Sequence, residues 1–215
     1  MSKLDRLLTF RTAGPDDAAA LAAIDADSWP APLATTLEQW QSRLAVFATG
    51  QLVLDYDGRS AVVAAAQRIT HEFLTAGPIT HRRLTDGGSF RNSHHPEGEI
   101  YQLVAVGASA LVNGLGLGRK LIDRQIAQAR SMPGIRRIIG ITRPARYYRH
   151  PELPIAEYVE LRNKTGRRYD PVLEFHLGSG AKLISTHENF RPDDEEARGY
   201  GVLIEYPLVP EQHHP

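Results

Sequence analysis

The spacing of apolar residues in the first fifty positions predicts two helices that pack on a core. Leu21 and Ile24 lie on one face of a helix that follows residues 14–17, where a proline and two aspartates suit a first turn. A second helix begins after Thr36, because Gln39 stands three residues later in the spacing of a capping box. Its apolar residues then recur at helical intervals, which is typical of a helix with one buried face.

Runs rich in β-branched residues predict strands along the rest of the chain. Turn formers at 56–59 indicate a hairpin, and a helix over 116–131 has an apolar face of its own. The predicted strands are 5–12, 51–55, 60–69, 99–106, 135–142, 181–187 and 201–207, and the predicted helices begin near positions 15, 36, 116, 154 and 170. This order predicts a single α/β domain over residues 1–210 with a mixed sheet.

Two stretches interrupt the pattern. Residues 70–98 hold many turn formers and little periodicity, so we expect a long loop or a lid. Residues 143–169 form a basic and aromatic insertion, with a helix predicted over 154–163. Residues 211–215 are expected to be a tail.

Composition limits the partners. Lys plus Arg equals Asp plus Glu at 25 each, so no net field favours a nucleic acid or an anionic membrane. No apolar window approaches the roughly 20 residues of a membrane helix, and the N-terminus has no signal-like apolar region. The chain has no cysteine, which excludes disulfides and thiolate nucleophiles and fits a reducing, cytoplasmic location.

Histidines raise the question of a metal. His94 and His95, together with His71 or His81, have no helix-type or ribbon-type ligand spacing. We therefore expect a solvated loop and no metal site there. The basic and aromatic residues at 143–149 are expected to form a rim that meets an acidic carrier protein or a CoA phosphate.

The most informative segment is the glycine-rich turn Asn113-Gly-Leu-Gly-Leu-Gly118, which connects a strand to a helix. Gly114, Gly116 and Gly118 let the backbone approach a ligand and direct several N–H groups at one point. The helix N-terminus adds partial positive charge. We expect a pyrophosphate cradle here, although the glycines could also serve only to turn and cap the chain.

Three glycine-loop families fit this segment to different degrees. A P-loop requires Gly-Lys-Ser/Thr, but Arg119 and Lys120 follow Gly118. A dinucleotide fingerprint requires a third glycine where Leu121 stands. The segment instead resembles motif A of the GNAT (Gcn5-related N-acetyltransferase) superfamily, Gln/Arg-x-x-Gly-x-Gly/Ala, with Asn113 in the first position.

The resemblance implies the GNAT fold, a mostly antiparallel mixed sheet whose fourth and fifth strands splay apart between flanking helices. It also implies that an acyl-CoA binds at the glycine turn and along the preceding strand. The residues that would hold the coenzyme are Val104, Val106, Asn113, Gly114, Gly116, Gly118 and Arg119.

The chain departs from ordinary GNAT acetyltransferases at the acid position. Those enzymes place a tyrosine four residues before a glycine, to protonate the CoA thiolate. Here His176 stands four residues before Gly180, in a short helix that Asp170 and Pro171 begin. A histidine can donate or accept a proton near neutral pH, which changes the chemistry.

The stretches 169–176 and 188–200 resemble a GNAT branch that includes domains fused to carbon–nitrogen hydrolases and the GNAT-like domains of polyketide synthase loading modules. The latter decarboxylate malonyl or methylmalonyl thioesters and are associated with delivery to an acyl carrier protein. The resemblance implies Thr142 and His176 as the catalytic pair, with Arg191 and Trp29 binding substrate. Arg191 is expected to position substrate or shape the tunnel, because a cation fixed on the departing carboxylate would slow CO2 loss.

Three hypotheses remain open from the sequence. The first is a decarboxylase of malonyl- or methylmalonyl-CoA that makes the acetyl or propionyl starter for polyketide synthesis, with S-acyl transfer to an acyl carrier protein as a further step. The second is an acetyl-CoA-dependent N-acetyltransferase. The third is a catalytically inactive domain that binds acyl-CoA.

Overall fold

The computed structural model describes residues 4–31 and 33–209, and its centre is a seven-stranded sheet. The strands are β1 (Leu8–Thr12), β2 (Gln51–Tyr56), β3 (Arg59–Ile69), β4 (Ile100–Ala108), β5 (Arg137–Thr142), β6 (Lys182–His187) and β7 (Gly201–Tyr206). Their order across the sheet is β1-β2-β3-β4-β5-β7-β6, and every neighbouring pair is antiparallel except β4 and β5. The expected mixed, mostly antiparallel sheet is confirmed.

Helices cover both faces of this sheet. They are α1 (Ala18–Ser28), α2 (Leu37–Phe47), α3 (His71–Thr75), α4 (His81–Leu84), α5 (Leu117–Ser131), α6 (Ile155–Tyr158) and α7 (Pro171–Leu177). Of the helices in the described ranges, none has the length and apolar character to cross a membrane. The expected tail at 211–215 lies outside the described residues.

The two faces are separated by the alternation of side chains along each strand. Val53 and Val63 pack with Leu21 and Trp40 under α1 and α2. Leu52, Leu54, Val62 and Ala64 point the other way and pack with Leu117 and Leu121 of α5. Trp40 is one of the apolar residues on the predicted buried face of the second helix, and its side chain is completely buried.

Local signals in the sequence place most elements correctly. Thr36 and Gln39 form the expected capping box, with reciprocal hydrogen bonds at the start of α2. The β2–β3 hairpin turns at Asp57 and Gly58, both with positive φ. Asp170 caps α7 as expected, because its Oδ1 accepts from the backbone N–H groups of Val172 and Leu173.

The expected helix over 154–163 is wrong in length. α6 ends at Tyr158, and the chain then turns back on itself through a bridge between Arg162 and Arg168. The Asn163 side chain accepts hydrogen bonds from the backbone of Thr165 and Arg167, and such local bonding competes with a helix.

The segment 70–98 is a packed layer rather than an unstructured loop. It contains α3 and α4, and Leu74, Leu84 and Phe90 are buried. Arg83 ties the segment together by donating to four backbone carbonyls. Motion of this segment as a lid stays a prediction.

Asp170 should contribute more stability than an ordinary cap. Besides α7, its carboxylate accepts from Arg146 N and Tyr158 Oη at 2.8 Å each, and it is almost fully buried. We expect Asp170→Ala to lower the free energy of unfolding by about 2–4 kcal/mol, measured in denaturant. The control Thr36→Ala removes a partly exposed cap and should cost about 1 kcal/mol. Equal losses in the two variants would contradict this role for Asp170.

Candidate functional site

The site begins where β4 and β5 separate. Their parallel pairing runs from Ile100 with Arg137 to Leu103 with Gly140 and then stops. A cavity of about 340 Å³ opens beyond this point, lined by residues 103–106 of β4 and 140–143 around the end of β5. The splayed fourth and fifth strands expected from the sequence are confirmed.

A β-bulge shapes the β4 wall of this cavity. Leu103 pairs with Ala66 and Ala105 with Ala65, so Val104 is one extra residue on β4. Among the described residues, no strand pairs with β4 on its β5 side beyond Leu103. This edge therefore offers free backbone N–H and C=O groups along Val104–Val106, where an extended arm can bond.

The glycine turn lies between β4 and α5. Gly114 and Gly116 have φ values of 80° and 69°, a left-handed conformation that favours glycine, and both face open space. Gly116 caps α5, so the first-turn N–H groups of this 15-residue helix have no intrahelical acceptor. Asn113 is exposed beside this turn. These residues can hold an anion such as a pyrophosphate.

Gly118 and Arg119 lie in the first turn of α5, close to residues of β4 and α7. A Cβ on Gly118 would lie 3.8 Å from Phe175 and 3.9 Å from Val106, between α7 and β4. The Arg119 guanidinium donates to the carbonyl of Gly178 just after α7. The side chain of Arg119 is therefore engaged with the protein, and its backbone N–H is the group directed toward the turn's open side.

His176 lies on α7 and contributes one wall of the cavity. Its Nδ1 is 2.7 Å from Tyr206 Oη on β7. Burial lowers the pKa of His176 to about 4, and burial also raises the pKa of Tyr206. At neutral pH the imidazole is thus uncharged and the phenol is protonated, and we assign the phenol as the donor to Nδ1. The ring proton is then on Nε2.

Thr142 ends β5 on the same cavity. Its side chain is buried, and Oγ1 has no hydrogen-bond partner among the described residues. An unpaired buried hydroxyl costs about 1–3 kcal/mol, so a bound group that pairs with it gains that much. The structure brings Thr142 and His176 to one cavity, although 34 positions separate them in the sequence.

Trp29 and Arg191 also line this cavity. Trp29 follows α1, and its ring lies 5.9 Å from the Arg191 guanidinium and 6.0 Å from that of Arg143. Arg191 donates through Nη2 to the Leu33 carbonyl at 2.5 Å. All four residues expected from the sequence to act on substrate are therefore brought together, along with the β4 edge.

The sequence analysis missed Tyr206 and His81. Tyr206 lies on the same face of β7 as Val202 and Ile204, and all three are buried. A buried tyrosine hydroxyl usually has a hydrogen-bond partner, so this pattern did contain a signal. His81 lies in α4 and lines the cavity. The expected solvated loop is wrong here, because the His81 ring packs edge-on against Phe190, and burial lowers its pKa to about 3.

Two neighbouring expectations also need correction. His94 stacks on Phe47 with ring centroids 4.5 Å apart, so it is not a solvated loop residue either. In the basic segment 143–149, Arg143 pairs with Asp194 at 2.5 Å and Tyr147 is buried. These two residues serve the core and the cavity wall rather than an exposed rim.

Comparisons with known proteins were made for sequence and structure. No protein-family model matches the chain. It is 29% identical to an uncharacterized N-acetyltransferase, YkwB of Bacillus subtilis, over 94% of this chain and 89% of that protein.

Two solved structures share the fold over almost their whole length. One is the loading GNATL domain of CurA from Lyngbya majuscula, with a TM-score of 0.83, 26% identity and coverage of 96% of this chain and 99% of that one. The other is the GphF GNAT-like decarboxylase in complex with isobutyryl-CoA, with a TM-score of 0.80, 30% identity and coverage of 94% and 100%.

The Gly118→Ala variant tests whether this glycine is needed to bind a ligand or only to form the turn. Alanine in the first turn of α5 meets only ordinary contacts, so the free energy of unfolding should stay the same or rise by about 0.5–1 kcal/mol. The added methyl would contact Val106 and Phe175, both of which line the cavity, and reduce the space for a bound arm, so the affinity for coenzyme A should fall. Thermal unfolding and calorimetric titration measure the two effects. Unchanged affinity would mean that the glycine serves only the backbone.

The tautomer of His176 can be tested by NMR of 15N-labelled imidazole. We expect a neutral ring with the proton on Nε2 from about pH 5.5 to 8, since the pKa is lowered to about 4. Tyr206→Phe removes the donor to Nδ1 and should give a mixture of tautomers. A protonation midpoint near 6.5 in the unmodified protein, or a proton on Nδ1, would contradict this arrangement.

Proposed function

Because this chain belongs to the GNAT superfamily, we propose that it is a GNAT-type acyl-CoA decarboxylase acting on malonyl-CoA or methylmalonyl-CoA. The observation that carries the proposal is one cavity lined by the unpaired hydroxyl of Thr142 and the neutral imidazole of His176. The 30% sequence identity to the GphF GNAT-like decarboxylase, over 94% of this chain, supports the proposal.

The coenzyme follows from the shape of the site. The glycine turn receives the pyrophosphate, and the pantetheine arm runs along the unpaired edge of β4. This path leads between Val106 and Phe175 to the cavity, where the thioester meets Thr142 and His176. The GphF decarboxylase has isobutyryl-CoA bound, which supports an acyl-CoA in this chain.

The reaction requires donors to the thioester oxygen. When the bond between the α-carbon and the carboxylate breaks, its electron pair moves into the thioester and leaves an enolate. Thr142 Oγ1 and His176 Nε2 both donate to the enolate oxygen. A neutral imidazole is a weak acid, so water delivers the proton that the α-carbon takes up. The products are acetyl- or propionyl-CoA and CO2, and the CO2 takes up the hydroxide left by the water as bicarbonate.

The cavity also bears on the ordinary acetyltransferase alternative. No tyrosine is among the described residues that line the cavity. His176 stands at the position where such enzymes have the tyrosine that protonates the CoA thiolate. The N-acetyltransferase alternative nevertheless keeps one specific support, the 29% identity to YkwB. The experiment therefore includes acetyl transfer.

Incubation with malonyl-, methylmalonyl- and acetyl-CoA, followed by mass spectrometry, tests the proposal. We expect loss of CO2 from malonyl- or methylmalonyl-CoA without any amine present. An acyl carrier protein bearing phosphopantetheine is added in a second arm, because a loading domain such as that of CurA suggests a carrier-bound starter for polyketide synthesis. Acetyl transfer to an amine with both carboxylated thioesters inert would support an N-acetyltransferase, and binding without turnover would support an inactive domain.

The roles of the two donors predict the effects of their removal. His176→Ala and Thr142→Val should each lower the decarboxylation rate at least about a hundredfold, because one oxyanion donor contributes about 3–4 kcal/mol. Coenzyme A affinity should stay nearly unchanged, since neither side chain contacts the glycine turn. The matched control Thr186→Val alters a strand threonine on β6 outside the cavity lining. Turnover close to normal in both site variants would refute the assigned roles.

A further inference from the structure

A second chamber of about 480 Å³ lies beside the first cavity. The two share part of their walls, including Trp29, Val104 and Arg191. Thr142 and His176 do not line the second chamber, and Arg43 lines only the second one. The second chamber is thus a neighbouring space with its own chemistry.

Arg43 is the most unusual residue of this chamber. Its side chain extends from α2 and is only 2% exposed. The guanidinium donates from Nε to Gly88 O at 2.7 Å and from Nη1 to Thr35 Oγ1 at 3.2 Å, and it lies 5.1 Å from the centre of the Trp40 ring. Within residues 4–31 and 33–209, no carboxylate comes within 4.0 Å of it. A buried charge without an ion pair is costly.

Arg191 lies on the same chamber and has no carboxylate within ion-pair distance in the described part of the chain. Asp194, three residues further along the chain, attracts the Arg191 charge but is itself paired bidentately with Arg143. Burial, opposed by Asp25 and reinforced by the charge of Arg191, lowers the pKa of Arg43 to about 10. The buried guanidinium of Arg43 and the half-buried one of Arg191 therefore repel each other.

The acidic residues around the chamber, Asp25 among them, offset the charges of this pair only in part. Asp25 lies behind Thr35, whose N–H donates to Asp25 Oδ2 at 3.2 Å, and burial raises the pKa of Asp25. Asp193 and Arg82 both line the chamber and offset each other in charge. His81 adds an imidazole that is neutral at physiological pH. Three arginines and one aspartate line the chamber, so its lining carries a net positive charge.

We propose that the second chamber binds a small carboxylate ligand, separate from the acyl thioester, between the guanidinium groups of Arg43 and Arg191. Guanidinium groups match the planar carboxylate in a bidentate geometry. The Thr36 hydroxyl lines the same chamber; it accepts from Gln39 N and keeps a proton that can be donated to the rest of a small polar molecule.

A ligand distinct from the malonyl group fits the positions better than the malonyl carboxylate does. Arg43 does not reach the first cavity, where the thioester would lie. A cation held on the departing carboxylate would also stabilise the reactant and slow its decarboxylation. The site is therefore suited to a second small molecule next to the acyl end, across Trp29. This inference does not depend on which reaction the first cavity performs.

Fluorescence titration tests the proposal directly, because the chain has two tryptophans and both border this region. Malonate, succinate and acetate are titrated into the intact protein saturated with coenzyme A, with chloride at equal ionic strength as the reference. We expect a saturable signal for at least one carboxylate in the millimolar range and none for chloride. Arg43→Gln should weaken this binding at least about tenfold.

Matched variants keep the result interpretable. Arg59→Gln removes an exposed arginine of the β2–β3 hairpin and should leave the affinity unchanged. If Arg43→Gln fails to fold, Arg191→Gln must show the tenfold loss instead. The proposal is overturned if no free carboxylate gives a saturable signal, or if a folded Arg43→Gln binds as the parent does. It is also overturned if the Arg43→Gln substitution changes only the affinity for malonyl-CoA and leaves the affinity for free carboxylates unchanged.

Discussion

Backbone N–H and C=O groups of adjacent parallel strands normally bond to each other, but those of β4 and β5 do not do so beyond Leu103 and Gly140. The bulge at Val104 turns β4 away at this point, and the antiparallel pairing of β5 with β7 holds β5 in the sheet. The resulting gap leaves a strand edge that requires a bonding partner. Every element of the site is positioned by this gap.

The apolar lining of the gap also sets the charge of the site's histidine. Ile204 and Ile122 line the cavity, together with Phe175 and His176 of α7. A buried imidazole loses the hydration that stabilises its charged form, which is why the pKa of His176 falls to about 4. The Tyr206 hydroxyl then fixes the tautomer, and the hydroxyl of Thr142 supplies a second donor nearby. Burial converts an ordinary histidine into a neutral, oriented donor.

The elements with strong local signals could be predicted from the sequence. The capping box at Thr36, the turn at Asp57-Gly58 and the cap at Asp170 each depend on neighbouring residues, and all three form as expected. The meeting of Thr142 and His176 in one cavity was expected only through a family resemblance, because no local rule relates residues so far apart.

The features that the sequence did not predict depend on contacts between segments that are distant along the chain. The periodicity of a single sequence does not encode such contacts. The segment 70–98 has few regular repeats, yet Arg83 and buried Leu84 pack it into a layer. His81 packs edge-on against Phe190, which is far from it in sequence. The helix predicted to run to position 163 was ended by the turn around Asn163.

A crystal structure with a malonyl-CoA analogue that cannot lose CO2 tests the central claim most directly. The account predicts the coenzyme pyrophosphate at Gly116 and the thioester oxygen within about 3.2 Å of both Thr142 Oγ1 and His176 Nε2. A thioester bound away from these two atoms, or a pantetheine arm outside the gap between β4 and β5, would contradict it.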